Sequence, residues 1–565
     1  MKAWFAVAAM SVVLAVSACA QSVPSDSDQK LAEDLWTWRA RFGQFTSDDV
    51  NRMERPSGVE RDWSVAGVEK QRKDLAAFEE RWKKLADGKA AIAQQVDHRL
   101  MGSALARVHW EIDVLDRWQH DPRFYIEQTV TPVVEALTVP GPYDAAQSKE
   151  ILWRLNQIPN ILKQGQHNLE SPPAVLASNA IDALADIRTK FHEMARSLGP
   201  HVKIAPEVLD RSADQAGAAL EEYREWLKKR LPTLPQSTPL GREKYVWFLR
   251  NVALMPFTPE ELVAKAEQEW RRAVAFESTE INRNRAVPPQ VMAATTSDFI
   301  AKDHKAELGV RDFLEKRNVL TLRTGQRHFT LRAMPPYLGA LGPEFAELDD
   351  FTSPSRLDQD GIRYVDPPSP TGGYFVIADA KDPRIQIVHE GTVGHYGQLC
   401  NSWQHSDPIR RHYYDSGANE GIGFYAEEMM LQAGLYDDSP HTREIVYNQM
   451  RLRALRVIAD VKAALGEFSL KEAADFLQHN VPMSADGARY EAVEISESPG
   501  QKISYQIGKL QIVQMLSDAR LKDGNAFDLR KFHDYVWLNG NVPIALQRWE
   551  LLGNDGDVKK IDGEK

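Results

Sequence analysis

V-H-E-G-T-V-G-H-Y-G-Q-L-C, residues 388–400, is the stretch whose folding decides what kind of protein this is. His389, Glu390 and His395 fall within seven residues. Two imidazoles with a carboxylate beside the first are what a hydrolytic zinc site needs: the imidazoles hold the metal, and the carboxylate takes a proton from water. The common form is H-E-x-x-H, with both imidazoles one helical turn apart. Here the spacing is H-E-x-x-x-x-H. Six residues of regular helix rotate by about 600°, which leaves His395 roughly 120° away from His389. The two rings meet only if the helix is locally looped out. Gly391 and Gly394 make that cheap, since glycine adopts backbone conformations other residues avoid. The competing reading is an ordinary turn with two surface histidines, in a chain that has 15 of them.

H-E-G-T-V-G-H-x-x-Q resembles the H-E-x-x-P-G-H-x-x-Q signature of the bacterial "domain of unknown function" 885 family, with Val393 where the family has Pro. That family is similar to the glutamate-zincin metallopeptidases, and dipeptidyl peptidase III is a precedent for a lengthened H-E-x-x-x-H. The resemblance implies a Zn2+ cofactor on His389 and His395, Glu390 as general base, and Gln398 as a substrate contact.

Three later stretches extend the resemblance. N-E-G-I-G-F-Y-A-E-E from Asn419, on a helix expected over 419–433, resembles E-G-W-x-x-Y-A-E with Ile422 replacing the Trp. This implies Glu420 as third zinc ligand, the fourth position staying open for water. Glu427 lies two turns on and on nearly the same face, and is expected to support the ligands from behind. The competing reading is a solvated acidic helix face. S-P-G-Q-K-I-S-Y-Q-I-G, residues 498–508, resembles P-G-Q-x-x-x-Y-x-x-G. It makes Tyr505 either the donor to the tetrahedral oxyanion or a buried structural tyrosine. F-D-L-R-K-F-H-D, residues 527–534, resembles F-D-L-R-x-F-H-D, and His533 either reaches the catalytic site or caps and packs. The departures are Ala464, where the family has a His after its R-x-x-x-D (here Arg456 and Asp460), and Glu494-Ile495, where it has Arg-Tyr.

Upstream of the motif, residues 340–370 are rich in Gly, Pro and Asp and read as loop. Residues 372–379, G-G-Y-F-V-I-A-D, are aromatic and β-branched and read as a strand. In zincins an edge strand beside the metal helix pairs with extended substrate, so Gly373, Tyr374 and Phe375 are expected to contact a peptide; a strand of a small structural sheet is the alternative. The N-terminal half is helical: 31–45, 68–85, 146–170, 174–197 and 212–230 are amphipathic, and Met101, Leu105, Val108, Ile112 and Leu115 share one apolar face. Pro206 and Pro259 mark helix starts, the second capped by Thr258. D-P-R-F-Y at 121–125, R-L-N-Q-I-P from Arg154 and L-G-R-E-K-Y at 240–245 resemble the same family's N-terminal helices.

Residues 1–18 read as a signal peptide, and Val16-Ser17-Ala18-Cys19 resembles a lipobox cut before a lipidated Cys19. A plain signal peptide with an incidental cysteine is the alternative. Residues 19–30 read as a polar tether. With no Asp after Cys19, resemblance to bacterial lipoproteins favours the outer membrane, facing the periplasm or the cell surface. The chain as a whole, 43% hydrophobic and 26% charged, suits a large buried core. A net charge of −11 argues against nucleic acid as a partner. Of the two cysteines, a lipidated Cys19 leaves Cys400 alone, without an intrachain disulfide.

The expectation is a mainly α fold: a large helical single-cleft domain over 31–565 with a small β-sheet beside the metal helix, in lobes of about 31–330 and 331–565. Its expected function is zinc-dependent hydrolysis of a peptide substrate. The alternative is a catalytically inactive, zincin-shaped lipoprotein that binds peptides or envelope components. Oligomeric state is left open.

Overall fold

The computed structural model describes residues 26–45, 53–85, 88–236, 239–342, 345 and 348–563. The leader at 1–18 and Cys19 lie outside the described residues. The tether expected over 19–30 ends sooner: a helix, Asp26–Phe42, begins within it, because Leu31, Ala32 and Leu35 are already in the core.

The architecture is mainly α with one small sheet. Local signals set many helix ends. Thr258 accepts the Glu261 amide while Glu261 reaches back, and Pro259 occupies the first turn of helix Pro259–Asn284. Pro206 opens helix Pro206–Arg230. The stretch expected as one helix over 174–197 is two, Ala174–Ala183 and Ile187–Leu198, broken where Asp186 takes a left-handed φ of 55°. Helix Ile92–His109 carries the apolar face from Met101 and passes into a π turn at Trp110–Val114.

The apolar core does not divide at residue 330. The N-terminal helices build one cluster, which also takes in Tyr337, Ile362, Ile409 and Leu546 from much later in the chain. Residues of helices Pro259–Asn284 and Thr296–Arg317 pack instead with the C-terminal helices, through Ala273, Val310 and Leu314. Contacts far apart in sequence therefore join both halves, and each fully buried aliphatic or aromatic side chain contributes roughly 1.5–3 kcal/mol to holding them.

Strands β1 (Phe329–Ala333), β2 (Asp349–Asp350) and β3 (Gly361–Val365) form a sheet of order β1-β3-β2. β1 runs parallel to β3 with Leu331 opposite Arg363; β2 runs antiparallel with Asp349 opposite Arg363. The sheet lies against helix His395–Trp403: the Phe329 and Tyr396 rings are 5.4 Å apart, and a Cβ on Gly361 would come within 2.7 Å of the Tyr396 ring.

The strand expected at 372–379 is a helix, Tyr374–Lys381, with Gly373 extended at its N-cap. The A-D-A-K half of this run favours helix, and only Ala378 and Ala380 are buried. The alternation of a half-buried strand is missing, and packing overrides the β-branched propensity of Val376 and Ile377. The strands lie instead within stretches that carry Arg363 and Asp349 toward the motif. No described helix is long and apolar enough to cross a membrane.

Candidate metal centre

Helix Arg384–His389 ends on the first motif histidine, and a new helix, His395–Trp403, starts on the second. Between them the backbone hydrogen bonds change step. Tyr396 N–H donates to the Glu390 carbonyl at 2.9 Å and Gly397 N–H to the Gly391 carbonyl at 3.2 Å, each spanning six residues instead of four. Two extra residues are thus looped out of what is otherwise one helical path, and His395 returns to the face of His389 as the second histidine of H-E-x-x-H would. The rings sit 4.8 Å apart at 81°.

The glycines serve this loop by size. Gly394 has φ −90°, outside the left-handed region, but a Cβ there would lie 1.7 Å from the His389 carbonyl oxygen. A Cβ on Gly397 would lie 2.2 Å from the Thr392 oxygen. Neighbours grip the loop: Thr392 Oγ1 donates to Glu307 at 2.8 Å, Gln326 Nε2 donates to the Thr392 carbonyl at 3.2 Å, and Trp537 Nε1 donates to the Val393 carbonyl at 2.6 Å.

Glu420 comes from helix Ser416–Ala433, capped by Asp415. Its Oε2 lies 3.5 Å from His389 Nε2 and 3.2 Å from His395 Nε2, and accepts no hydrogen bond among the described residues. One ligand atom from each of His389, His395 and Glu420 lies within 4.8 Å of the others, and all three side chains are buried. This two-imidazole, one-carboxylate donor set fits a zinc ion with a position left for water. Gly423, one turn after Glu420, makes room: its Cβ would meet both imidazoles at 3.1–3.2 Å. Glu427, a further turn on, places Oε1 2.7 Å from His389 Nδ1, and Arg453 Nη2 holds the same oxygen at 3.2 Å. Burial opposes charging His389, but the carboxylates of Glu420 and Glu427 beside its two ring nitrogens win and push it up to about 10.

Glu390 stands at the rim, 3.9 Å from His395 Nε2 and 3.5 Å from Arg363 Nη1, with Asp349 3.4 Å from Arg363 on its other side. Burial works against its ionisation, yet Arg363 and the two imidazoles hold Glu390 below the usual carboxylate range.

Tyr505 lies on helix Ser504–Asp523, its ring parallel to that of His389 with centroids 6.2 Å apart. Burial, and then the charge of Glu420, push its hydroxyl well above its ordinary range, so it keeps its proton and can donate. Arg456 lies 5.0 Å over the ring. Two glycines allow the helices to meet this closely: Gly508 and Gly421 face one another, and a Cβ on Gly508 would be 2.1 Å from the Gly417 carbonyl oxygen. The turn before Tyr505 is tied by Asp460, which accepts from Gly500 N, Lys502 N and the Tyr245 hydroxyl. Gly500 there has φ 91°.

The remaining sequence candidates fall elsewhere. His533 is fully buried, with Nδ1 2.7 Å from the Val319 carbonyl and Nε2 2.8 Å from the Tyr425 hydroxyl. Both ring nitrogens are used, so it packs and does not act on substrate. Gln398 is fully buried within its helix and does not line the adjacent cleft. Tyr374 donates its hydroxyl to Asn448, and Gly373 only caps its helix. Phe375 does line the cleft, with Arg453 4.7 Å over its ring. Sequence reasoning missed Arg363, Asp349, Arg453, Gly423 and the Glu307 brace. R-L-R-A-L-R at 451–456 was a visible signal for Arg453; β3 gave none for Arg363.

The cleft, about 730 Å³, runs from Arg363 and Phe375 to the N-terminal helices at Glu127 and Arg154. Similar chains share the whole architecture. A candidate lipoprotein of unknown function from Shewanella oneidensis superposes with a TM-score of 0.67 at 18% identity, over 93% of this chain and 99% of that one. A candidate lipoprotein from Colwellia psychrerythraea gives 0.69 at 15% identity, over 95% and 100%. At these identities the likeness is one of fold. No curated protein matches. The family model described as bacterial protein of unknown function (DUF885) matches residues 52–550, which takes in the looped motif, Glu420 and Tyr505, and the chain belongs to that family.

Proposed function

We propose that this protein is a zinc-dependent peptidase carried on a bacterial outer-membrane lipoprotein. The observation that carries the reading is the convergence of His389, His395 and Glu420 beside an unbonded Glu420 oxygen, with Glu427 supporting His389 from behind. A bound zinc ion supplies Lewis acidity to a water and to the scissile carbonyl. Glu390 takes the proton of the attacking water and returns it to the leaving nitrogen. Tyr505 donates its hydroxyl hydrogen to the carbonyl oxygen as negative charge develops there. Arg363 keeps Glu390 ionised and aimed. The resemblance of the H-E-x-x-x-x-H motif to the glutamate-zincin signature, read from the sequence, suggests the same assignment.

The experiment is metal analysis of the purified mature chain, followed by hydrolysis of a mixed peptide library by wild type and Glu390→Gln. About one zinc per chain is expected in both, with hydrolysis reduced by roughly 10²–10⁴ in the variant. Zinc bound with no peptide cleaved by wild type sinks the peptidase reading and favours a peptide-binding lipoprotein. Glu494 supports that second reading: it stands where the family resemblance has an Arg, and is tied to Lys502 at 2.6 Å.

A further inference from the structure

The cleft beside the candidate metal centre has an uneven charge. Among the described residues, nine carboxylates and five guanidiniums line it, and no lysine. Each guanidinium is already engaged. Arg356 is bidentate on Asp350, Arg363 lies between Asp349 and Glu390, and Arg123 lies between Glu127 and Glu497. Arg154 is held by Glu150, and Arg55 by the carbonyls of Gly43 and Gln44. Just behind the wall, Arg456 is bidentate on Glu491, and Arg453 gives Nη2 to Glu427 while its buried Nε and Nη1 point at ring faces and meet no acceptor among the described residues. No cation in this wall is left to receive a substrate carboxylate.

Acceptors, by contrast, are left over. Asp379 lines the cleft with no hydrogen bond or ion-pair partner among the described residues. Gln386, 3% exposed and one turn before Glu390, gives its amide N–H to Asp303 and leaves Oε1 without a donor. Buried acceptors without donors are costly unless a ligand supplies the hydrogens. Tyr490, half-exposed on the same wall, offers an apolar ring to the stem of a long basic side chain.

From this we infer that the cleft selects peptides bearing positively charged groups, an ammonium or guanidinium seating beside Asp379 and amide hydrogens reaching Gln386. This rests on the peptidase reading for the identity of the ligand as a peptide, and names its class. Burial pushes the Asp379 carboxyl up to about 7 and that of Glu497 to about 8, so each regains its charge against an entering cation. With those two discounted, seven carboxylates still face five guanidiniums that are already engaged.

The test uses zinc-loaded, full mature Glu390→Gln and three fluorescent peptides of equal length: lysine-rich, neutral and glutamate-rich. The lysine-rich peptide should bind at least about tenfold more tightly than the neutral one, with the difference shrinking as salt rises. Asp379→Asn, added to Glu390→Gln, should cut that preference severalfold while neutral-peptide binding stays unchanged, which also shows that the variant is folded. N-acetylated and free forms of each peptide distinguish an amino terminus from a side-chain cation. Equal affinity for all three peptides, or a preference untouched by Asp379→Asn, overturns the inference. Because the readout is binding, it stands apart from wild-type hydrolysis, whose absence would instead count against the peptidase reading.

Discussion

The amide of Tyr396 donates to the carbonyl of Glu390, six residues back, at 2.9 Å. That bond brings the two imidazoles of a motif two residues too long onto one face, with their rings 4.8 Å apart. It requires the looped segment to pass directly over the His389 carbonyl, where only a hydrogen fits at Gly394. Gly394→Ala should therefore lose most of its zinc while far-ultraviolet circular dichroism still reports a helical protein, with stability lower by roughly 1–3 kcal/mol. Full zinc occupancy in Gly394→Ala would show that the loop has another route.

Glu427 holds His389 by Nδ1, and so leaves Nε2 to face Glu420. Glu427→Gln should weaken zinc by about 10–100-fold, as read by competition with a chromogenic chelator. Glu420→Ala, which removes a proposed ligand, should do worse. An unchanged affinity in Glu427→Gln would make this carboxylate a packing feature alone.

The Gly421–Gly508 contact sets how closely Tyr505 approaches the imidazoles. Gly508→Ala forces helices Ser416–Ala433 and Ser504–Asp523 apart, at a cost of roughly 1–3 kcal/mol in urea unfolding. Peptide hydrolysis should fall with it. Tyr505→Phe should lower kcat by about 10²–10³ at unchanged stability, the usual worth of one oxyanion donor. Equal kcat in Tyr505→Phe and wild type would remove the hydroxyl from the mechanism.

Cys19→Ser should shift the protein from the membrane fraction to the soluble periplasm, and mass spectrometry of the wild type should find acyl chains on Cys19. A variant that stays with the membrane would point to an anchor elsewhere.

The sequence alone determined the helical class, the capped start at Thr258, the family, and the residue types able to hold a divalent cation. These are local or compositional facts: a proline in a first turn, an apolar period, a histidine pair flanking an acid. It could not determine whether His389 and His395 share a face, since that depends on hydrogen bonds that skip two residues and on space beneath Gly394. Residues 372–379 show the same limit. Their β-branched run suggested a strand, and packing made it a helix, while Arg363 arrived from a strand in a stretch read as loop. His533 shared a family motif with the site and proved to be fully occupied by Val319 and Tyr425. What only the tertiary structure decided is which side chains meet, because buried polar groups from distant segments must satisfy one another and local sequence carries no record of that partner.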